Sequence, residues 1–235
     1  VYYIPNRIEE GYGLGMSSMN RLRELGVELI VTVDCGIRSN EVIDHTNSLG
    51  MEVIVTDHHE CEGEPPAAHC IINPHQYDCS YPHKGLAGVG VAYKLACVLL
   101  EEAGCSDYAE ELLDLVMIGT IADVVPLLDE NRIIVKNGLQ SIASTRNEGI
   151  KALLEVSGLK GKELNTYNVA FMLAPRINAA GRISEATQCV ELLLTDDAAR
   201  AMEIAGRLDL NNRERQAVEN EILNCAADII EKNVD

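Results

Sequence analysis

The chain has 235 residues and carries 19 Lys and Arg against 37 Asp and Glu, a net charge of 19 − 37 = −18 with histidine neutral, while hydrophobic residues make up 47%. That apolar share excludes a disordered acidic tail, and no apolar run reaches the ~18 residues of a membrane span. The strong negative charge argues against non-specific nucleic-acid binding through a basic surface.

Taken in chain order, Tyr2-Tyr3-Ile4 reads as a first strand, without the charged and apolar regions of a secretory signal. Leu29-Ile30-Val31-Thr32-Val33 and Val53-Ile54-Val55-Thr56 are short, β-rich apolar runs without strict alternation, which predicts strands buried on both faces of a parallel sheet. Between them, Ser39 to Leu49 is long enough for one crossover helix, with Ser39 as N-cap and Gly50 as the stop. The stretches Gly26–Thr32 and Gly50–Thr56 echo each other, as the two strands of a β-α-β unit of an open α/β sheet would. Ile71-Ile72-Asn73-Pro74 reads as a short strand ending in a turn, and helices are predicted over 89–104, 108–122, 131–145 and 165–180. From Asp197 onward apolar residues recur at three- and four-residue steps, through a wholly polar middle at 211–216, as one long amphipathic helix.

The eight cysteines include no Cys-x-x-Cys pair, and several, such as Cys97, sit inside apolar helical runs. Free thiols in a reducing cytosol fit this placement better than a disulfide framework. Cys61, Cys70 and Cys79 near His69 and His75 have looser spacing than structural zinc sites use. Trp is absent and Phe occurs once, so stacking platforms for bases are few.

Asp34 directly follows the first strand, and Asp57-His58-His59 directly follows the second. In a parallel β-α-β unit both sets emerge at the carboxyl edge of neighbouring strands, where open α/β sheets hold ligands. Two carboxylates and two imidazoles make an oxygen and nitrogen donor set suited to Mn²⁺ or Mg²⁺. A third acid, Asp123, is embedded in the apolar run Gly119-Thr120-Ile121-Ala122-Asp123-Val124-Val125, where an unpaired carboxylate is costly and a metal would offset its burial. Each residue also has a plainer reading: Asp34 as a helix N-cap, His58-His59 as a solvated loop pair, and Asp123 as a turn cap before Pro126.

Val33-Asp34-Cys35-Gly36, Asp57-His58-His59 and Gly119-Thr120-Ile121-Ala122-Asp123 resemble, in order, successive motifs of the DHH phosphoesterase superfamily. Three further stretches are similar to its branch of 5′→3′ exonucleases specific for single-stranded DNA: Ile4–Arg7 with Glu10–Leu14, Asn73-Pro74 through Tyr81-Pro82 into Leu86–Ala92, and Ala174–Arg182. The resemblance runs from the first residue to about Gln216. It implies an α/β fold: a parallel-sheet DHH domain, N-terminally truncated, over residues 1–195, with extra helices, and a long connecting helix over 196–235 towards a second domain.

By matching position, Asp34, His58 and Asp123 resemble the family's metal ligands, for two Mn²⁺ or Mg²⁺ ions in the intact enzyme. His59 resembles the catalytic histidine that faces the scissile phosphate, with Asp57 orienting the histidines. Arg7, Asn178 and Arg182 resemble residues that hold substrate phosphates. The implied activity is release of 5′-mononucleotides from single-stranded DNA in repair and recombination. The implied setting is the cytoplasm, away from membranes, with DNA-repair proteins as further partners. Gly88-Val89-Gly90 reads equally as an anion-binding backbone or as tight helix packing.

The family's first Asp-x-Asp-Gly-type motif does not occur before Asp34 and the chain does not begin with Met, so an internal fragment, inactive alone, is expected. Two alternatives stay open: a relative acting on oligoribonucleotides, cyclic dinucleotides or pyrophosphate, and a non-catalytic scaffold of the same fold.

Overall fold

The structure is a computed structural model, and it describes residues 2–5, 13–180 and 186–233, the side chains at 180, 232 and 233 excepted. The chain divides into two compact units, Val1–Thr145 and Arg146–Asp235.

The first unit carries α1 (Met16–Glu24), β1 (Leu29–Val33), α2 (Asn40–Ser48), β2 (Glu52–Thr56), β3 (Cys70–Ile72), α3 (Gly88–Glu102), α4 (Tyr108–Glu111), α5 (Leu113–Ala122) and α6 (Asp129–Ser141), the last extended by a 3₁₀ turn over Ile142–Ser144. Its strands form a parallel sheet in the order β1-β2-β3. Val53 and Val55 of β2 pack with Ile43 of α2, with Leu14, Ala68 and Ile71 around them. A second cluster joins Met19 and Leu22 of α1 to Met51.

Several expectations need correction. Residues 2–5 form no strand; Tyr3 packs instead against the Met19, Leu22 and Met51 cluster. The strand β1 is not buried on both faces: Leu29, Val31 and Val33 are 45–56% exposed. A continuous apolar run has the same hydropathy whether or not its outer face is covered. Ser39 precedes α2 as expected, but its side chain makes no capping bond. The segment 108–122 is two helices that meet at Leu112. The helix α1 was not anticipated, because it buries only Ser18, Met19 and Leu22 and shows too narrow an apolar stripe.

Glu130, near the start of α6, accepts hydrogen bonds from Tyr81 and from Lys94 Nζ, the latter at 2.5 Å. Burial alone would raise its pKa, but the bonds from Lys94 and Tyr81 outweigh it and hold the carboxyl below its ordinary 4.5. A depressed carboxyl contributes stability above its unfolded pKa and loses it as pH falls through the folded value. Urea unfolding at descending pH is therefore expected to show a component that disappears below about pH 4.5 and is absent from Glu130→Gln.

The second unit comprises α7 (Glu148–Val156), α8 (Thr166–Asn168), a π-helical turn Val169–Leu173, α9 (Ala174–Ala180), α10 (Ala186–Leu194) and α11 (Ala198–Asn233). The expected helix over 165–180 is present, with a π turn that the sequence did not announce, and α7 and α10 are additional. Asn147 caps α7 by accepting from Ile150 N–H, and Asn165 with Asn168 forms a reciprocal capping box. Ala201, Ile204, Ala205 and Leu208 of α11 are fully buried, as are Ile150, Leu153, Leu173 and Leu192 of the same unit. Arg176 of α9 pairs with Asp209 of α11 through Nε at 2.9 Å and Nη2 at 2.7 Å, and it donates to the Met172 carbonyl within the π turn. From residue 216 to residue 231, α11 is exposed throughout, Val218, Ile222, Leu223, Ile229 and Ile230 included.

Candidate metal centre

The parallel register sets Val33 beside Thr56 and Thr56 beside Ile72. Asp34, Asp57 and Asn73, each one residue further on, therefore leave the sheet together at its carboxyl edge. Asp34 N–H still donates to the Thr56 carbonyl at 3.0 Å, and Asp57 N–H to the Ile72 carbonyl at 3.1 Å. Asp34 itself has φ of 63°, a left-handed conformation that Asp tolerates better than most side chains. Two threonines brace the turn behind it: Thr56 Oγ1 donates to the Thr32 carbonyl at 2.6 Å, and Thr32 Oγ1 to the Cys35 carbonyl at 2.7 Å. At Gly36, with φ of 113°, a Cβ would lie 2.9 Å from that Thr32 hydroxyl.

Asp57 is 1% exposed and accepts four hydrogen bonds. Its Oδ1 takes His58 N–H at 2.8 Å, His59 N–H at 3.2 Å and the His59 ring at Nδ1 at 2.7 Å, while Oδ2 takes Ile37 N–H at 3.0 Å. Burial pushes its pKa up, but the bonds from Ile37, His59 and His58 outweigh burial and hold the group below its ordinary 3.8. The buried anion thus joins the loop after β1 to the loop after β2. It also occupies Nδ1 of His59 and leaves Nε2 for a ligand. Asn73, buried at the end of β3, donates from Nδ2 to the His59 carbonyl at 2.9 Å and accepts His75 N–H at 2.8 Å, which ties the third strand end to the same loop.

His58 Nε2 lies 3.0 Å from Asp34 Oδ1 and 3.5 Å from Asp123 Oδ2. Asp123 arrives from the C-terminal end of α5, where its N–H donates to the Gly119 carbonyl at 3.0 Å. One ligand atom each from Asp34, His58 and His59 lies within 4.8 Å of the others, the one group of three metal-capable side chains among the described residues. The His58 and His59 rings are 4.6 Å apart, tilted by 53°. The hydrogen bond that its Nε2–H donates to Asp34 raises the His58 pKa, opposed by burial and reinforced by the charges of Asp123, Asp34 and Asp57. A cluster that favours a proton at Nε2 favours a divalent cation there on the same electrostatic ground.

The donor set fits a hard-to-borderline ion, being carboxylate oxygen and imidazole nitrogen. Cys35, next to Asp34, adds no soft thiolate: burial first, then the Asp57 and Asp34 charges, push its thiol up to about 11. None of the eight cysteines forms a disulfide, and the loosely spaced cysteine and histidine set makes no metal group among the described residues.

At Gly88-Val89-Gly90 the structure shows close packing at both glycines. A Cβ at Gly88 would overlap Asp34 Oδ1 and lie 2.7 Å from its Cγ, so the first turn of α3 abuts the Asp34 carboxylate itself. A Cβ at Gly90 would meet Leu86 Cδ2 at 3.2 Å, an ordinary helix-packing role. Of the expected substrate-binding residues, Asn178 is in α9 of the second unit, while Arg7 and Arg182 lie outside the described residues. In the sequence Asn73 and Gly88 stand out only as members of longer motifs, because their roles depend on contacts with the His59 carbonyl and with Asp34 that spacing does not contain.

Asp57→Asn keeps the shape but turns an amide group towards donor N–H groups. It is expected to cost roughly 3 kcal/mol of folding stability, since bonds to a charged acceptor are worth about 1.5–3 kcal/mol each and Asn retains some of them. Urea unfolding checks the value.

A model of the DHH family, N-terminal domain, matches residues 1–120. The single-stranded-DNA-specific exonuclease RecJ of Bacillus subtilis is 45% identical over 231 residues, 98% of this chain and 29% of that protein. The RecJ of Escherichia coli is 44% identical over 229 residues, 93% of this chain and 40% of that protein. Among solved structures, exonuclease RecJ bound to manganese superposes with a TM-score of 0.85 at 40% identity, covering 94% of this chain and 56% of that one. RecJ of Thermus thermophilus in complex with Mn²⁺ superposes at 0.79 with 39% identity, covering 89% of this chain and 31% of that one. The chain thus spans less than half the length of these curated relatives.

Proposed function

The chain belongs to the DHH family, and from that premise we propose that its strand-edge cluster is part of a metal-dependent phosphodiester-hydrolase centre of the RecJ type. The substrate is single-stranded DNA, degraded 5′→3′ to 5′-mononucleotides in repair and recombination in the cytoplasm. The approach of Asp34 and of Asp123 to the one His58 Nε2, at 3.0 and 3.5 Å, carries the proposal. In this reading Asp34, His58 and Asp123 hold Mn²⁺ or Mg²⁺, as the Mn²⁺ and Mg²⁺ complexes of the RecJ relatives suggest. Such ions lower the pKa of a bound water and supply hydroxide near neutral pH.

The protein's own residues do the rest. Asp57 holds His59 by Nδ1, which fixes the ring and leaves Nε2 to face a phosphoryl oxygen. Arg7, Asn178 and Arg182 hold the phosphates of the strand. Residues 1–195 form the phosphoesterase domain, and 196–235 form the helix that leads out of it, a role that the exposed outer half of α11 supports. DNA-repair proteins are proposed as further partners.

The test is a chimaera in which these 235 residues replace the matching segment of Bacillus subtilis RecJ. Retained Mn²⁺-dependent hydrolysis of labelled single-stranded DNA supports the assignment. Preference for an RNA dinucleotide or a cyclic dinucleotide contradicts it. The 235-residue chain alone is expected to be inactive or nearly so, and robust hydrolysis by it contradicts that expectation.

A second reading of one residue has its own support. His59 shares the 4.8 Å group with Asp34 and His58, as a ligand would. His59→Ala separates the two. If His59 faces the phosphate, hydrolysis by the chimaera is expected to fall by about 10²–10⁴-fold with Mn²⁺ affinity kept. If His59 is a ligand, affinity falls with it.

A further inference from the structure

The loop that delivers Asp123 is held in an unfavourable shape. Val124, directly after the ligand, has φ of 60° and is 86% exposed, so no burial of its own side chain offsets a left-handed β-branched residue. Asp129, where the loop enters α6, has φ of 44°. These two, with Asp34, are the non-glycine residues of positive φ among the described residues, and all three border the metal cluster or the loop leading from it. Such backbone persists only where the surroundings over-determine it.

Asn131 supplies the constraint. It is 0% exposed, and its Nδ2 donates to the Gly85 carbonyl at 2.6 Å and to the Pro126 carbonyl at 3.0 Å. Both amide protons are thereby used, and the opposite amide orientation would set an oxygen against two carbonyl oxygens. Pro126 lies three residues after Asp123, and Gly85 three residues before Gly88, whose backbone abuts Asp34. One side chain therefore bridges the two segments that set the Asp34 and Asp123 carboxylates around His58.

We propose that Asn131 is a positioning residue of the metal centre, fixing the separation of Asp34 and Asp123 by clamping the Gly85 and Pro126 carbonyls together. The proposal rests on the metal-centre reading above, and it adds a residue that touches neither metal nor substrate.

The test is Mn²⁺ binding to the 235-residue chain, read as free Mn²⁺ by electron paramagnetic resonance, beside the apo thermal midpoint. Asn131→Asp keeps the size and turns an oxygen towards both carbonyls. It is expected to weaken Mn²⁺ binding by roughly 10- to 100-fold, the range for residues that orient metal ligands. Asn131→Ala removes both donors without adding charge and gives the same answer should the aspartate variant not fold. Leu22→Ala, in the α1 cluster, lowers the thermal midpoint without touching either bridged segment. Its Mn²⁺ affinity is expected to stay within about twofold of the parent.

Unchanged affinity in the folded Asn131 variants overturns the proposal, as does an equal loss in Leu22→Ala, since either reduces Asn131 to a general packing role. Asp34→Asn in the same assay separates the two levels. If it weakens binding and the Asn131 variants do not, only the positioning role fails. If it too leaves binding unchanged, the metal-centre reading fails and the proposal with it.

Discussion

Asp34→Asn is expected to weaken Mn²⁺ binding by more than about 100-fold, beyond the 10- to 100-fold typical of residues that merely support a ligand, while the fold survives. The two halves of that result have separate causes. The variant removes the negative charge that lies 3.0 Å from His58 Nε2, so the cluster loses much of what draws a cation. Asn, however, accepts the left-handed backbone at φ 63° at least as well as Asp. The lost pairing with His58 is weak as a source of stability, because the Asp34 side chain is 54% exposed. Isothermal titration with Mn²⁺ reads the first half and urea unfolding the second. A comparable fall in both would mean that Asp34 is structural.

Gly88→Ala is expected to destabilise the protein by about 1–3 kcal/mol, as overpacking does, and to weaken Mn²⁺ binding by at least about tenfold, in the range of other disturbances to a ligand's support. Helix propensity alone predicts the opposite sign, since Ala is favoured over Gly by up to about 1 kcal/mol within a helix. The reversal comes from the new Cβ, 2.7 Å from Asp34 Cγ and 2.9 Å from its Cβ. The whole short side chain must yield, and its backbone is fixed by the bond to the Thr56 carbonyl. Either Asp34 turns away from His58 or the start of α3 retreats. Gly90→Ala is the contrast, because its new Cβ meets only Leu86, and its one tight contact is with the Cδ2 end of that side chain at 3.2 Å. Mn²⁺ affinity close to the parent value is expected there.

What the sequence disclosed follows from what each feature depends on. The strands β1 and β2 and the acids at their ends were legible because a parallel β-α-β unit fixes which residues share an edge. The long helix α11 was legible from its period, although its apolar stripe is buried at Ala201 through Leu208 and exposed from Val218 onward. Whether a face is covered depends on a partner surface that hydropathy does not contain, and the exposed side of β1 escaped for the same reason. Asn131 and Asn73 were opaque in another way. Both act through backbone carbonyls 5 to 46 residues away, and any residue supplies a carbonyl. Arg176 sat visibly in a motif, yet its partner Asp209 is 33 residues distant and nothing local marks it.

The charge of −18 has also acquired a local meaning. Three of the acids converge on two histidines at one sheet edge, one of them buried and held ionised by four hydrogen bonds. At that edge a cation reverses the potential that would otherwise repel a phosphate.

The most direct test of this account is a crystal of the chain grown with Mn²⁺ and measured at the manganese absorption edge. The account predicts an anomalous peak contacted by Asp34, His58 and Asp123. A peak held by other residues, or no peak at this edge of the sheet in the presence of saturating Mn²⁺, would contradict it.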